Sequence, residues 1–185
     1  MRSEITMPDD LKITTAMLYQ GALVFALMDA IYIPLLVWRV REETFRRLKW
    51  TLVIAAAFVW FGIWSWAIGN FWETVYSHVF PTWARNWTPW IAFVAAGGVA
   101  YLFWRLALRA KAKAVPIYCL LSGILGSLTH LWAVTRGIVT KPPMLQGASP
   151  LGAVTIAFFE YTFYWCVILT LAAVGNWILS RRSSP

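Results

Sequence analysis

The sequence predicts an all-α integral membrane bundle of five transmembrane helices. The chain has 185 residues, of which 60% are hydrophobic and 13% are charged, and one soluble core of this size cannot bury so much apolar surface. Five apolar stretches reach the roughly 20 residues that a helix needs to cross a bilayer. In lipid the backbone polar groups must bond within the chain, which favours helices. The stretches form one polytopic domain over residues 1–185 and lie near residues 15–38, 50–71, 88–108, 115–136 and 151–179.

An acidic residue near the middle of the first predicted helix is a candidate for function. Asp29 shares a helix face with Ala22 and Ala26 and is otherwise surrounded by apolar residues. A bare carboxylate at the centre of a bilayer costs about 2.5–3.5 kcal/mol on insertion scales. Asp29 therefore needs a partner, a proton or a water-filled cavity. Pro34, near the inner end of the same helix, predicts a kink.

The second predicted helix is rich in tryptophan and becomes polar at its outer end. Trp60 and Trp64 lie in its apolar part, and Asn70 and Glu73 share one face beyond it. Residues three or four apart lie on the same side of a helix. Glu73 is therefore a second acidic candidate, placed near the outer membrane surface.

Small residues recur at helical spacing in the third and fourth predicted helices. They are Gly97, Gly98, Ser122, Gly123, Gly126, Ser127 and Thr129. Such faces allow two helix backbones to approach closely. We expect them to pack within the bundle, and they also allow homo- or hetero-oligomers. The outer half of the fourth helix adds His130 and Trp132.

The fifth predicted helix contains the acid with the most informative surroundings. Glu160 lies in an aromatic run with Tyr161, Tyr164 and Trp165, and it shares a face with Ala157 and Tyr164. It comes nine residues after the predicted start of the helix, which puts it roughly 13 Å into the membrane. Glu160, like Asp29, is a predicted site residue because a carboxyl group at this depth is costly.

The basic residues predict the orientation of the bundle. The net charge is +8, but the positive charges flank the helices, which argues against nucleic acid as a partner. One end carries Arg39, Arg41, Arg46, Arg47, Lys49, Arg105, Arg109, Lys111, Lys113, Arg181 and Arg182, whereas the other carries Arg2, Lys12, Arg85, Arg136 and Lys141. Cytoplasmic loops are enriched in Lys and Arg. The N-terminus is therefore predicted outside and the C-terminus in the cytoplasm.

The function that we predict is acid-initiated chemistry on an apolar lipid such as a sterol or an isoprenoid. A carboxyl group in an apolar wall can hold a proton at neutral pH and give it to a double bond, and aromatic faces can stabilise the resulting carbocation. The enzyme would be an isomerase or cyclase that needs no cofactor. The predicted catalytic residues are Glu160 as acid, His130 as proton relay, and Asp29 or Glu73 as second acid. The predicted substrate-binding residues are Trp60, Trp64, Asn70, Trp132, Tyr161, Tyr164 and Trp165.

Three alternatives remain open on the sequence alone. In the first, Glu160 or Asp29 pairs with His130 or Arg136 only to fix the helix register. In the second, the bundle is a non-catalytic lipid-binding or accessory subunit of a larger membrane complex. In the third, a metal enzyme uses ligands of the right type at Asp29, Glu73, His78, His130 and Glu160, although no HxxH, ExxH or HExxH spacing occurs. Cys119 and Cys166 have no metal or disulfide spacing, and we expect both to be small core residues.

Helices four and five resemble the emopamil-binding, or EXPERA, family of membrane sterol isomerases and related lipid-binding proteins. The similar residues are Ser122-Gly123-Ile124-Leu125-Gly126, Leu131-Trp132-Ala133-Val134-Thr135-Arg136-Gly137, Ser149-Pro150-Leu151 and Tyr164-Trp165. They cover about 45 residues, and the resemblance implies a five-helix fold with a lipid-binding cavity.

The chain departs from this family where the family isomerases hold their chemistry. Those enzymes carry a His and a Glu one turn apart on the second helix, where this chain has Trp60 and Trp64. A further family acid at the start of the third helix has a displaced counterpart in Glu73. An Asn on the last helix corresponds to Glu160 or Tyr161. The resemblance therefore implies the fold and an apolar ligand, and not the same isomerase chemistry.

Overall fold

The computed structural model describes residues 14–39, 43–67, 88–135 and 149–182. In these residues it confirms the predicted all-α bundle and its five long helices. The helices are α1 (Thr15–Arg39), α2 (Trp50–Ala67), α3 (Thr88–Ala107), α4 (Ala114–Thr135) and α5 (Pro150–Arg182). The described ends lie within three residues of the predicted ones, and the predicted end of the second helix, at residues 68–71, lies outside the described residues. The first helix continues through Pro34 to Arg39.

The apolar surface of the bundle is that of a multi-pass membrane protein. Among the described residues, α1, α3, α4 and α5 contain stretches that are long and apolar enough to cross a bilayer, while the apolar part of α2, Trp50–Ile63, is shorter. Large apolar side chains point outward, for example Leu23, Ile31 and Leu151, each more than 60% exposed. Acyl chains, unlike water, solvate such side chains without a hydrophobic cost.

Hydroxyl side chains fix the N-terminal ends of α1 and α5. The Thr14 hydroxyl accepts a hydrogen bond from the backbone N–H of Met17 at 3.3 Å, and the Ser149 hydroxyl accepts one from Gly152 at 3.0 Å. Such N-caps satisfy backbone donors that have no partner within the helix. The backbone N–H of Ser149 donates in turn to the Thr15 hydroxyl at 3.0 Å. The starts of α1 and α5 are therefore tied together.

The fifth helix lies at the centre of the fold and packs against α1, α2 and α4. The predicted small-residue face of α4 makes one of these contacts. A Cβ atom on Gly123 would lie 2.6 Å from the Phe158 ring, and one on Gly126 would lie 2.5 Å from Cγ of Tyr161. The two glycines are required here because α4 and α5 are too close to leave room for a methyl group.

Helices α2 and α3 form a second tightly packed pair. A Cβ atom on Gly97 of α3 would lie 2.7 Å from the backbone of Ile54. Next to this contact, the rings of Phe61 and Phe93 stack with centroids 5.1 Å apart. A Cβ atom on the second glycine of the pair, Gly98, would meet no described side chain or neighbouring helix within 4 Å, so only one of the two predicted glycines serves the α2–α3 contact.

A buried tryptophan and a sharp turn of the chain close the end of the bundle at which α1 and α3 finish. Trp104 of α3 is fully buried and donates its indole N–H to the backbone oxygen of Phe45 at 2.9 Å. Phe45 belongs to a single helical turn, Glu43–Arg46, in the connection from α1 to α2. Between α3 and α4, a 3-10 segment (Leu108–Lys113) turns the chain, with Lys111 at a φ of 52°.

Candidate functional site

The contacts between α1 and α5 fix the relative depths of the two predicted intramembrane acids. Thr15 lies level with Ser149, and the Tyr32 hydroxyl donates to the Thr170 hydroxyl at 2.6 Å. The two helices are therefore parallel, with an offset of 134–138 residues. This register puts Asp29 level with residues 163–167 and Glu160 level with residues 22–26. Asp29 thus lies about 7 Å further than Glu160 from the level at which α1 and α5 begin, at 1.5 Å per residue.

Asp29 is buried between α1 and α5 and has no hydrogen-bond partner within the described part of the chain. Its side chain is 4% exposed, and neither carboxyl oxygen has a hydrogen bond to any described residue. The carboxyl group lies close enough to the Cys166 thiol to interact with it electrostatically. No ion pair joins it to a described residue, His130 included. Asp29 therefore does not pair with His130, and Arg136, the other expected partner, lies outside the described residues.

Glu160 lies on α5 between two tyrosines. Its carboxyl group interacts with the hydroxyl of Tyr164, one turn further along the helix, and with the adjacent Tyr161. One turn before it, Ile156 packs against Gly21 of α1, whose Cβ would lie 2.7 Å from that side chain. Residues before and after Glu160 on the same face thus contact α1, which places Glu160 on the α1 side of α5.

Four aromatic rings from three helices form a cluster next to Glu160. The cluster consists of Phe25 of α1, Trp60 of α2, and Phe163 and Tyr164 of α5. Ring centroids lie 5.7 Å apart for Phe25 and Tyr164, and 5.4 Å apart for Trp60 and Tyr164. The contacts of Phe163 with Phe25 and Trp60 are both 6.1 Å. Such rings present electron-rich faces that attract a cation.

His130 lies on the other side of α5 from this cluster. Its Nδ1 atom is 3.1 Å from the backbone oxygen of Gly126, and its ring packs edge-on against Tyr161 with centroids 5.6 Å apart. Between the described residues His130 and Glu160 there is no hydrogen bond or ion pair. Tyr161 touches both, and it also interacts with Thr129 of α4. His130 and Glu160 are therefore not in direct contact, because Tyr161 lies between them, and the relay role of His130 stays a prediction.

The other predicted substrate-binding residues are divided among several places. Trp60 and Tyr164 belong to the aromatic cluster. Trp165 is buried toward α3 and α4, where its ring contacts Phe103 at 5.5 Å. Trp132 is 56% exposed on the outer surface of α4. The side chain of Trp64, and Asn70, Glu73, His78 and Arg136, lie outside the described residues.

Two cysteines that have no motif spacing in the sequence meet in the core. The sulfur atoms of Cys119 on α4 and Cys166 on α5 are 3.5 Å apart, and both side chains are buried. The Thr162 hydroxyl, which also faces this region, donates to the backbone oxygens of Cys119 and Phe158. Among the described residues, no three His, Cys, Asp or Glu side chains come together as a metal site requires. Sequence spacing could not show the cysteine contact because it depends on how two helices pair.

No family model, characterised protein or solved structure matches this chain. The resemblance of helices four and five to the emopamil-binding family therefore stays a prediction.

Proposed function

We propose that this protein is a membrane-embedded enzyme that moves a double bond in an apolar lipid by acid catalysis. The substrate class is a sterol, an isoprenoid or another olefinic lipid. One observation carries the proposal: Glu160 lies partly buried in the membrane-spanning part of α5, between two tyrosines and beside the aromatic cluster of Phe25, Trp60, Phe163 and Tyr164. The proposal rests on this combination because aromatic faces next to a proton donor stabilise positive charge.

The proposed reaction needs only proton transfers. The protonated Glu160 carboxyl group gives its proton to one carbon of the double bond, and the π electron pair becomes the new C–H bond. The carbocation that results lies against the aromatic cluster. Loss of a proton from the adjacent carbon to the Glu160 carboxylate turns that C–H pair into the shifted double bond and restores the acid. In this proposal the Tyr164 hydroxyl, which interacts with the Glu160 carboxyl group, stabilises the carboxylate between the two steps.

Asp29 is the second acid in this proposal. It lies about 7 Å inward of Glu160 on the facing helix, and its carboxyl oxygens have no hydrogen bond to a described residue. A buried polar group without a partner is destabilising, so its presence is best explained by an interaction with a substrate. His130 lies outside the proposed proton path, because Tyr161 stands between its ring and Glu160.

We also propose that the N-terminus lies outside and the C-terminus in the cytoplasm. In this orientation the parallel helices α1 and α5 both enter from the outside, and Glu160 lies about 15 Å below the start of α5. The described basic residues at the inner end of the bundle, such as Arg46, Arg105 and Arg181, fit the enrichment of positive charge on the cytoplasmic side.

The test is the exchange of Glu160 for Gln, which keeps the shape of the side chain but cannot release a proton. Membranes that contain the wild type, E160Q or the control H130Q are compared for lipid composition and for retention of a radiolabelled isoprenoid lipid. We expect E160Q to bind the lipid and to form no isomer, since the acid is lost and the aromatic cluster is kept. Unchanged isomer formation by E160Q would end the proposed role of Glu160. H130Q should retain activity.

The accessory-subunit alternative has one supporting observation. A Cβ atom added at Gly62 of α2 or at Gly98 of α3 would have no described atom of another element within 4 Å, whereas the glycines Gly123 and Gly126 of α4 are covered by α5. Small residues on an outer helix surface allow a further transmembrane helix to approach. If E160Q and the wild type give identical lipid profiles, and the protein purifies with a second membrane protein that the exchange of Gly98 for Leu removes, this alternative replaces the enzyme.

A further inference from the structure

A cavity lined by arginines lies at the inner end of the bundle, far from Glu160. It has a volume of about 370 Å³, which falls in the range of about 300–1,000 Å³ typical of small-ligand pockets. The described residues of its lining are Arg46, Leu102, Arg105, Leu106, Leu108 and Arg109. Three of the six are arginines and none is acidic. The lining therefore presents three positive charges without a described counter-charge.

Two chain segments bring the three guanidinium groups to this cavity. Arg46 ends the single helical turn between α1 and α2, while Arg105 lies in the last turn of α3 and Arg109 in the 3-10 segment that follows. The turn that carries Arg46 is fixed by the hydrogen bond from Trp104 to the backbone oxygen of Phe45. A buried contact thus holds the two segments together, and the arginines do not depend on a loose connection for their proximity.

The apolar part of the lining continues onto the membrane-facing surface of α3. Leu102 is 54% exposed and Leu106 is 41% exposed. Toward the outer end of the same helix, Ile91 and Val94 are also exposed. The cavity is therefore charged at the level where the bundle leaves the membrane and apolar on the side that acyl chains reach. A ligand that matches both parts has an anionic head and a hydrocarbon tail.

We propose that this cavity binds the phosphate group of an anionic phospholipid. Arg46, Arg105 and Arg109 would hold the phosphate oxygens, because the planar guanidinium group donates two parallel hydrogen bonds to such an oxyanion. One acyl chain would lie along Leu102 and Leu106. Basic pockets between transmembrane helices are suited to anionic lipid head groups on the cytoplasmic side. The site is independent of the proposed chemistry at Glu160.

Other arginines at the same end of the bundle differ from these three and supply a control. The guanidinium group of Arg181 stacks on the Trp177 ring at 4.0 Å, and that of Arg39 on the Trp38 ring at 4.6 Å. Neither residue lines the cavity. Removing these two charges changes the overall charge of the inner end as much as removing two cavity arginines. A comparison of the two pairs therefore separates a site from a diffuse positive surface.

The experiment is a lipid titration of the full chain, purified in an uncharged detergent and followed by native mass spectrometry. The probes are phosphatidylglycerol, phosphatidylcholine with the same acyl chains, and inorganic phosphate. We expect the wild type to bind phosphatidylglycerol more tightly than phosphatidylcholine. The double variant R105Q/R109Q should lose roughly tenfold or more in affinity for phosphatidylglycerol, while R39Q/R181Q should stay within about threefold of the wild type.

Three outcomes would overturn the proposal. Equal binding of the two phospholipids would remove the role of the anionic head group. Equal losses in R105Q/R109Q and R39Q/R181Q would mean that the positive surface acts as a whole. Saturable binding of inorganic phosphate that depends on Arg105 and Arg109, without preference between the lipids, would assign the cavity to a soluble phosphate compound.

Melting temperatures in detergent check that each variant is folded. If the double variant is not, the single variants R46Q, R105Q and R109Q decide by the same criteria, with R181Q as their control.

Discussion

Asp29 shows how the free-energy cost of burying one polar side chain can indicate a function. A buried polar atom that lacks a hydrogen bond destabilises a protein by about 1–3 kcal/mol, and both carboxyl oxygens of Asp29 lack one among the described residues. Thr162 is equally buried, but its hydroxyl donates to two backbone oxygens. The two residues therefore have opposite expected effects on stability, although each is a polar group in the core.

We predict that D29L leaves the stability of the protein unchanged or raises it by about 1 kcal/mol, because an apolar side chain of similar size removes the unsatisfied group. T162V should lower stability by about 1 kcal/mol, since it removes a satisfied hydrogen bond. Both changes are measured by thermal unfolding in detergent. A loss of more than about 2 kcal/mol in D29L would show that the carboxyl group has a structural partner, and would contradict its assignment as a second acid.

Helix α5 positions the candidate site because its opposite faces pack against different helices. Toward α4 it presents Ala157, Phe158 and Tyr161 to the glycines of that helix. Toward α1 and α2 it presents Phe163 and Tyr164. Any change that moves α5 away from α4 should therefore alter the aromatic cluster on the other side.

The exchange of Gly126 for Ala tests this packing, with the exchange of Gly98 as its control. A Cβ atom at position 126 would lie 2.5 Å from Tyr161 and 2.6 Å from the backbone oxygen of Ala157, whereas nothing lies within 4 Å of one at position 98. We expect G126A to lose about 1–3 kcal/mol of stability through overpacking. G98A should be neutral or gain up to about 1 kcal/mol, because Ala favours a helix more than Gly does. Denaturation of both variants in detergent provides the measurement, and equal stabilities would contradict the close α4–α5 contact.

Hydropathy was sufficient to predict the helices, but it was not sufficient to predict their neighbours. The five stretches were found because each must satisfy its own backbone in lipid, and their ends were predicted within three residues wherever the structure describes them. The spacing of Glu160 and Tyr164 correctly put them on one face of α5. The spacing could not show that this face contacts Phe25 and Trp60 instead of His130. Helical periodicity specifies the side of α5 on which a residue lies, but it does not specify which helix packs against that side.

The bundle as a whole has an orientation that its charges predict. We expect a fluorescent protein fused after the C-terminus to fold and fluoresce in a bacterial host, and a periplasmic phosphatase at the same place to be inactive, because the basic residues retain that end in the cytoplasm. The reciprocal fusions before the N-terminus provide the control. Phosphatase activity at the C-terminus would reverse the orientation and place the arginine-lined cavity in the other leaflet.

The central claim, that Glu160 delivers a proton to a carbon atom of a lipid, has a direct isotopic test. Isolated membranes containing the wild type or E160Q are incubated in D₂O, and their apolar lipids are analysed by mass spectrometry. The Glu160 carboxyl group exchanges its proton with solvent, so each turnover through a protonated carbon should introduce deuterium into the lipid that is isomerised. We predict a deuterium-labelled isomer in wild-type membranes and none with E160Q. Equal labelling in the two membranes, or an isomer that carries no deuterium, would contradict the claim.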